Sequence, residues 1–225
     1  GLVGESGCGK SVTALSIMQL VASPPGRIVG GKAAFMGTNL LGLNSQETRK
    51  IRGQKIAMIF QDPLSSLNPV LKVGYQLSEV FHYHKGLTWE QSLGESAQML
   101  KVTDMPSPGE RVKNYPHEMS GGMRQRSIIA MALSCAPNLL IADEPSTALD
   151  VTVQAQVLKL MKALCNERET AILLITHDMG VVANMCNRVA VMYAGRIVEF
   201  TDVFTLFSKP AHPYTEGLLH SLPRL

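Results

Sequence analysis

Residues 4–11 read Gly4, Glu5, Ser6, Gly7, Cys8, Gly9, Lys10 and Ser11, which fits the phosphate-loop pattern G-x-x-x-x-G-K-[ST]. No other stretch restricts the fold so tightly, because such a loop has to leave a strand and enter a helix. Its three glycines let the backbone turn tightly or left-handed, so that successive N–H groups converge on one set of phosphate oxygens. Lys10 supplies a mobile charge for the outer phosphates and Ser11 a hydroxyl for Mg²⁺, while the following helix adds the positive end of its dipole. Hydrogen bonds to charged groups contribute about 1.5 to 3 kcal/mol each, so several such donors are enough to hold a triphosphate. A glycine-rich turn can also cap a helix and bind nothing. The apolar strand end Leu2-Val3 before the loop and the amphipathic pattern after it favour the nucleotide.

From Val12 onward, Leu15, Met18 and Val21 recur at helical spacing and predict a helix that runs to the Ser23-Pro24-Pro25-Gly26 stop. Residues 33–36 read as a short strand, with Gly37, Thr38 and Asn39 as the turn after it. Asn44 and Glu47 have the spacing of a helix start. Ile56, Met58 and Phe60 alternate with Ala57 and Ile59, as in a strand buried on both faces. The pattern then turns helical. Val73, Leu77, Val80 and Phe81 form one face, Thr88 and Gln91 predict a capping box, and Trp89, Leu93, Ala97 and Leu100 form a second face. His82 and His84 stand two apart, point to different sides of a helix and read as surface residues, not ligands.

The polar residues at the ends of apolar runs carry the chemistry. Gln61 closes the strand around Ile59, where its amide could reach a bound Mg²⁺ or an attacking water; standing alone, it would read rather as the polar end of a strand before a proline turn. Ser120, Gly121 and Gly122 directly precede a long helix, leaving N–H groups and a helix dipole open to a second anion. Arg124 and Arg126 in the first turn oppose that dipole unless an anion or a carboxylate is near. Asp143 and Glu144 end the apolar run 139–142, and as neighbours on a strand they point to opposite faces. They suit two jobs: Asp143 beside Mg²⁺ with Ser11, and Glu144 as acceptor of a proton from water attacking the γ-phosphate. Two acids at a strand end can also be merely solvated. Asp150 caps the next helix, and residues 171–175 form another strand, ending in Thr176-His177-Asp178. His177 therefore lies at the carboxyl end of a core strand, where parallel sheets bind ligands, and reads as a γ-phosphate contact. Residues 188–200 form a hairpin around Ala194-Gly195.

Composition narrows the function classes. A net charge of +3 without a basic block, and aromatic residues at only 5%, give no case for nucleic acid. The longest apolar stretch, 128–142, is interrupted by Ser134 and Pro137-Asn138, so no transmembrane segment is expected. Cys8, Cys135, Cys165 and Cys186 show no C-x-x-C spacing, which suits free thiols in a reducing cytosol. The chain opens in the last residues of a strand and is read as a fragment.

In order, residues 4–11, Gln61, Ser120-Gly121-Gly122, Asp143-Glu144, Asp150 and His177 resemble the motif set of an ATP-binding-cassette nucleotide-binding domain. The wording of Phe60-Gln61-Asp62-Pro63, Ser65-Ser66-Leu67-Asn68-Pro69, Tyr115-Pro116-His117-Glu118, residues 121–126 and His212-Pro213-Tyr214-Thr215 resembles the oligopeptide and dipeptide permease ATP-binding subunits, above all the D-type subunits. The resemblance implies an α/β phosphate-loop NTPase fold: a RecA-like core of mostly parallel strands over 1–69 and 136–200, an inserted all-helical subdomain over 70–135 with the signature motif, and the start of a C-terminal extension over 201–225. It implies ATP and Mg²⁺, with Lys10, Gln61, Glu144 and His177 catalytic. Residues 4–11, Val12, Gln61 and His177 would contact the nucleotide, and Ser11, Gln61 and Asp143 the metal. Ser120, Gly121 and Gly122 would act in trans on the nucleotide of a second cassette packed head to tail. Further implied partners are membrane permease subunits on the helical subdomain and, indirectly, an extracytoplasmic solute-binding protein, with this subunit peripheral on the cytoplasmic face of the inner (cell) membrane and import of oligopeptides or dipeptides as the function. The alternatives are a soluble non-transport cassette ATPase and an importer ATPase for another solute such as nickel. An Asn-Lys-x-Asp stretch for guanine is absent. Three positions depart from the common pattern: the upstream aromatic that stacks on adenine lies outside this sequence, Met123 stands where many cassettes have Gln or Glu, and Val12 leaves only its N–H for the α-phosphate. The fragment alone is expected to bind nucleotide weakly and to hydrolyse little, and a Cys-containing extension is expected beyond it.

Overall fold

The computed structural model describes residues 1–62, 66–147 and 149–221. Pro63 and Ser65, part of the permease-like wording, and Ala148 lie outside them. The chain forms two compact units, Gly1–Arg49 with Leu173–Leu225, and Lys50–Ile172.

In the first unit, β1 (Leu2–Val3) runs parallel to β6 (Ala171–Ile175) on one side and β7 (Arg188–Tyr193) on the other, in the registers Leu2↔Ile175 and Val3↔Val191. The short strand is apolar throughout because both its faces are covered. β7 turns back through Ala194 and Gly195 into antiparallel β8 (Arg196–Asp202). Val3, Val189, Val191, Met179, Val182, Val203 and Leu206 make the core. Two helices supply the last four of these, α8 (Met179–Met185) and α9 (Val203–Ser208), and each is started by an aspartate that accepts backbone N–H bonds: Asp178 from Gly180 and Val181, Asp202 from Thr205. Helix α10 (Pro213–His220) lays Tyr214, Leu218 and Leu219 against the same core.

The helix after the phosphate loop is shorter than its apolar spacing suggests. α1 (Lys10–Ile17) stops four residues before Val21. Gln19 adopts φ 50°, and the N–H groups of Gln19 and Leu20 return to the carbonyls of Ser16 and Leu15 at 3.0 and 2.7 Å, closing the helix with a left-handed cap. The expected turn at 37–39 is also displaced. β2 (Ala34–Phe35) pairs with β3 (Thr38–Asn39), so Thr38 and Asn39 form the return strand. The turn is Met36-Gly37, with φ 47° and 81°, the pair of positive angles a two-residue hairpin favours. At α2 (Ser45–Ile51) the expected reciprocal cap is present: Asn44 accepts from Gln46 and Glu47 N–H, and the Glu47 carboxylate accepts the Asn44 N–H.

The second unit holds the parallel pair β4 (Ile56–Ile59) and β5 (Leu139–Asp143), in the register Ile59↔Ala142. Its helices are α3 (Val73–Lys85), α4 (Trp89–Val102), α5 (Pro108–Arg111), α6 (Gly121–Leu133) and α7 (Val151–Glu167). α6 packs on α3, α4, α7 and β4 and buries Ile128, Ile129, Ala130 and Leu133. The capping box of Thr88 and Gln91 starts α4 as expected. The buried face of α4 differs from the apolar one: Ser92, Ser96, Met99 and Leu100 are buried, while Trp89 and Leu93 are 40% and 45% exposed. The reason is the seam with α3, where Ser78 and Ser96 hydroxyls meet at 3.0 Å and each also reaches the carbonyl four residues back. Small side chains meet in this seam, Leu77, Phe81, Met99 and Leu100 are buried, and Trp89 and Leu93 are turned outward. There Tyr75 and His82 both stack on Trp89, at 5.1 and 4.4 Å between ring centres. His82 and His84 are therefore half-buried packing residues, not free surface ones: His82 Nδ1 lies 2.7 Å from the Leu87 carbonyl, and burial lowers the pKa of His84.

Candidate nucleotide site

The register of β1 on β7 sets Val3 beside Val191 and so brings Gly4 alongside Met192. A Cβ at Gly4 would lie 2.2 Å from the Met192 carbonyl oxygen and 2.9 Å from Cys8 Sγ, so only glycine, here at φ 151°, lets the loop leave the strand this way. The loop is then tied down by the hairpin turn, as the Gly195 N–H donates to the Cys8 carbonyl at 2.9 Å. Gly9, at φ 109°, is the N-cap of α1 and brings no capping side chain. The first turn of α1 holds no acid, and it begins with a lysine. Lys10 is buried, with Nζ 2.8 Å from the carbonyls of both Gly4 and Glu5 and 3.8 Å from Cys8 Sγ. Two carbonyls compensate part of the cost of burying an ammonium. A cation at a helix N-terminus nevertheless opposes the dipole, a conflict that a bound anion relieves. Ser11 is half-buried and Val12 is exposed. His177 stands two residues past β6 and is exposed; beside it the Asp178 N–H donates to Thr176 Oγ1 at 3.0 Å, while the Asp178 carboxylate caps α8.

In the second unit, the β4–β5 register carries Gln61 and Glu144 abreast two residues beyond the paired Ile59 and Ala142. Gln61 Nε2 donates to Glu144 Oε2 at 3.0 Å, and Thr147 Oγ1 donates to the same oxygen at 3.1 Å. Glu144 adopts φ 46°, a left-handed conformation that costs a non-glycine residue about 1 to 3 kcal/mol and clusters at functional sites. Asp143, the last residue of β5, is buried. Ser120 is the N-cap of α6, its hydroxyl accepting the Met123 N–H at 3.3 Å. Gly121 and Gly122 follow, and a Cβ at Gly122 would meet Val153 at 2.8 Å. Arg124 in that first turn and Arg126 in the next are directed to other partners. Arg124 Nε donates to the Pro116 carbonyl, and Arg126 donates to the Thr103 carbonyl with the Asp104 carboxylate 3.7 Å away.

Two contacts around these residues are absent from the sequence reading, one local and one distant. Thr147 joins Glu144 across one turn. Tyr214 reaches the phosphate loop from the far end of the chain, its hydroxyl accepting the Glu5 N–H at 3.0 Å. The run His212-Pro213-Tyr214-Thr215 was the only available mark of the second.

The family model described as ABC transporter matches residues 1–147, and one described as oligopeptide/dipeptide transporter, C-terminal region, matches residues 198–225. The chain belongs to the ABC transporter family. This ABC protein is 55% identical over 225 residues to the oligopeptide transport ATP-binding protein OppD of Salmonella typhimurium, covering 100% of the chain and 67% of that protein. It is 54% identical to OppD of Bacillus subtilis, with 100% and 63% covered, and 52% identical to the dipeptide transport ATP-binding protein DppD of the same species, with 100% and 67% covered. The chain thus spans about two thirds of the length of these relatives. Among solved structures it resembles the dimeric post-hydrolysis state of the ATP-binding cassette MJ0796 bound to ADP and Pi, with a TM-score of 0.77 and 25% identity over 90% of this chain and 84% of that one. The fold of the ABC protein is accordingly the α/β phosphate-loop fold of the cassettes.

Proposed function

We propose that this ABC protein binds ATP with Mg²⁺ and hydrolyses it to drive import of oligopeptides or dipeptides. The observation that carries the reading is Lys10, an ammonium held on two loop carbonyls at the positive end of a helix whose first turn holds no acid. The match of residues 198–225 to the peptide-transporter C-terminal region and the names of the relatives support peptides as the solute. Residues 4–11 and Val12 would hold the phosphates through backbone N–H groups and Lys10, with Gln61 and His177 as further nucleotide contacts. The Ser11 hydroxyl, the Gln61 amide oxygen and the Asp143 carboxylate are the hard oxygen donors Mg²⁺ prefers. Bound there, the ion would neutralise phosphate charge.

Glu144 is assigned as the general base, because its carboxylate accepts from two neighbours and has a strand end to fix it. His177 is assigned to the γ-phosphate, and Ser120, Gly121 and Gly122 to the nucleotide of a second cassette packed head to tail. The exposed aromatic group of Tyr75, Tyr83 and Trp89 on α3 and α4 supports a membrane permease partner on that helical face. A solute-binding protein outside the membrane would deliver the peptide, and this subunit would sit on the cytoplasmic face of the cell membrane. None of the described helices is long and apolar enough to cross a membrane.

The test is Glu144→Gln in the full-length protein with its permease partners in vesicles. Loss of a general base costs about 10² to 10⁴ in rate, so ATP should still bind while hydrolysis and uptake of labelled peptide collapse. Turnover at the unsubstituted rate would refute the base assignment, and uptake independent of ATP would refute the function.

A further inference from the structure

The run His212-Pro213-Tyr214-Thr215 at the start of α10 has no task in hydrolysis or transport as proposed above, and the structure gives it one. Its segment is held firmly. The Glu199 carboxylate on β8 accepts the N–H groups of Ala211 and His212 at 2.9 and 3.0 Å, and His212 Nδ1 accepts the Tyr214 N–H at 3.1 Å. Burial pushes the Glu199 carboxyl up, but the hydrogen bonds of this turn outweigh it and leave its pKa below the usual carboxylate value. The carboxylate therefore stays charged as an anchor. Pro213 fixes the first helical position, while Leu218 and Leu219 pack on the core that contains Val3, the residue before the phosphate loop. The Tyr214 ring is wedged against Tyr193, 4.6 Å between centres, at the end of the strand beside the loop.

From this fixed position the Tyr214 hydroxyl accepts the Glu5 N–H at 3.0 Å, and the carbonyl of the same residue accepts from Lys10 Nζ at 2.8 Å. Glu5 is thus gripped by the C-terminal segment at its N–H and by the phosphate-binding lysine at its C=O. We infer that Tyr214 is a positioning residue of the nucleotide site, through which residues 211–220 set the opening of the phosphate loop and the resting place of Lys10. The inference rests on the nucleotide reading above and deepens it. Without the hydroxyl, the Glu5 N–H loses its partner, the start of the loop is free to rotate, and part of the binding energy of a nucleoside triphosphate is spent on ordering it.

The experiment measures MgATP and MgGTP affinity, kcat and KM, and the melting midpoint for the full-length protein carrying Tyr214→Phe. A second variant, Leu218→Ala, loosens the packing of α10 but keeps the hydroxyl. One neutral hydrogen bond corresponds to about a 2- to 10-fold change in affinity. Tyr214→Phe should weaken both nucleotides by the same factor in that range and raise KM with little change in kcat or melting midpoint, whereas Leu218→Ala should lower the midpoint and leave affinity alone. Unchanged affinity in Tyr214→Phe overturns the inference, as does an equal affinity loss in Leu218→Ala, which would make the effect one of packing. A loss confined to one of the two nucleotides also overturns it, because it would mean that Tyr214 reads the base. If the unsubstituted protein binds neither nucleotide, the failure belongs to the proposed function and not to Tyr214.

Discussion

Replacing Gly4 by alanine places a methyl group against the backbone of β7. The new Cβ would stand 2.2 Å from the Met192 carbonyl oxygen, whereas the closest comfortable C···O approach is about 3.3 Å, so one of the two backbones has to move by roughly 1 Å. Neither yields cheaply, since Met192 is paired with Ile197 in the hairpin and Val3, next to Gly4, is paired with Val191. Overpacking costs about 1 to 3 kcal/mol, and a side chain at φ 151° adds about 1 to 3 kcal/mol of backbone strain. Together these make about 2 to 6 kcal/mol out of the roughly 5 to 15 kcal/mol that a domain possesses. Gly7 is the internal control. It has φ 82° but nothing within 4 Å of the position a Cβ would take, so Gly7→Ala carries the left-handed penalty alone, about 1 to 2 kcal/mol. Urea and thermal denaturation of the two nucleotide-free proteins, followed by circular dichroism, should therefore rank Gly4→Ala well below Gly7→Ala, with MgATP binding impaired in both. Equal midpoints would show that the close approach of Gly4 to Met192 does not constrain the loop.

Ser120→Arg removes the α6 cap, at about 1 kcal/mol, and should leave ATP binding at the loop of its own subunit intact while silencing hydrolysis at the opposite site of a mixed dimer. Phosphate release followed at each site separately decides this, and loss at its own site would refute the head-to-tail assignment. Burial pushes the Cys165 thiol from 9 up to about 11, with Arg168 only partly opposing it. The folded state therefore holds that proton more tightly, so the contribution to stability is complete below pH 9 and is lost as the pH rises towards about 11. Denaturation midpoints across that window should fall less steeply in Cys165→Ala; an identical slope would assign the loss to other groups.

Signals contained within four residues were legible in the sequence. The caps at Asn44, Thr88 and Asp150 each act on N–H groups two or three residues on, and each appears as read. The motif positions were legible for the same reason, since a phosphate loop or a strand ending in Asp143-Glu144 is a local pattern. What a helix buries was not. Spacing placed Trp89, Leu93, Ala97 and Leu100 on one face, but the partner helix offered Ser78 at the seam, where it meets Ser96, so Ser92 and Ser96 of α4 are buried while Trp89 and Leu93 are not. The end of α1 also escaped, because a left-handed Gln19 has no sequence mark when glycine is not used. The link from Tyr214 to Glu5 spans 209 positions and follows only from how β7, β8 and α10 fold back on β1.

The serine seam between α3 and α4 has a consequence for handling the protein. The two helices meet through Ser78 and Ser96 and, at the rim of that seam, through the stack of Tyr75 on Trp89, an arrangement that leaves Tyr75, Tyr83, Trp89 and Leu93 40% or more exposed. Contiguous apolar surface of this kind promotes self-association when nothing covers it. A preparation of this subunit alone should thus be least soluble where it is best organised, and polar substitution at Tyr83, 73% exposed and outside the seam, is the gentlest way to keep it dispersed.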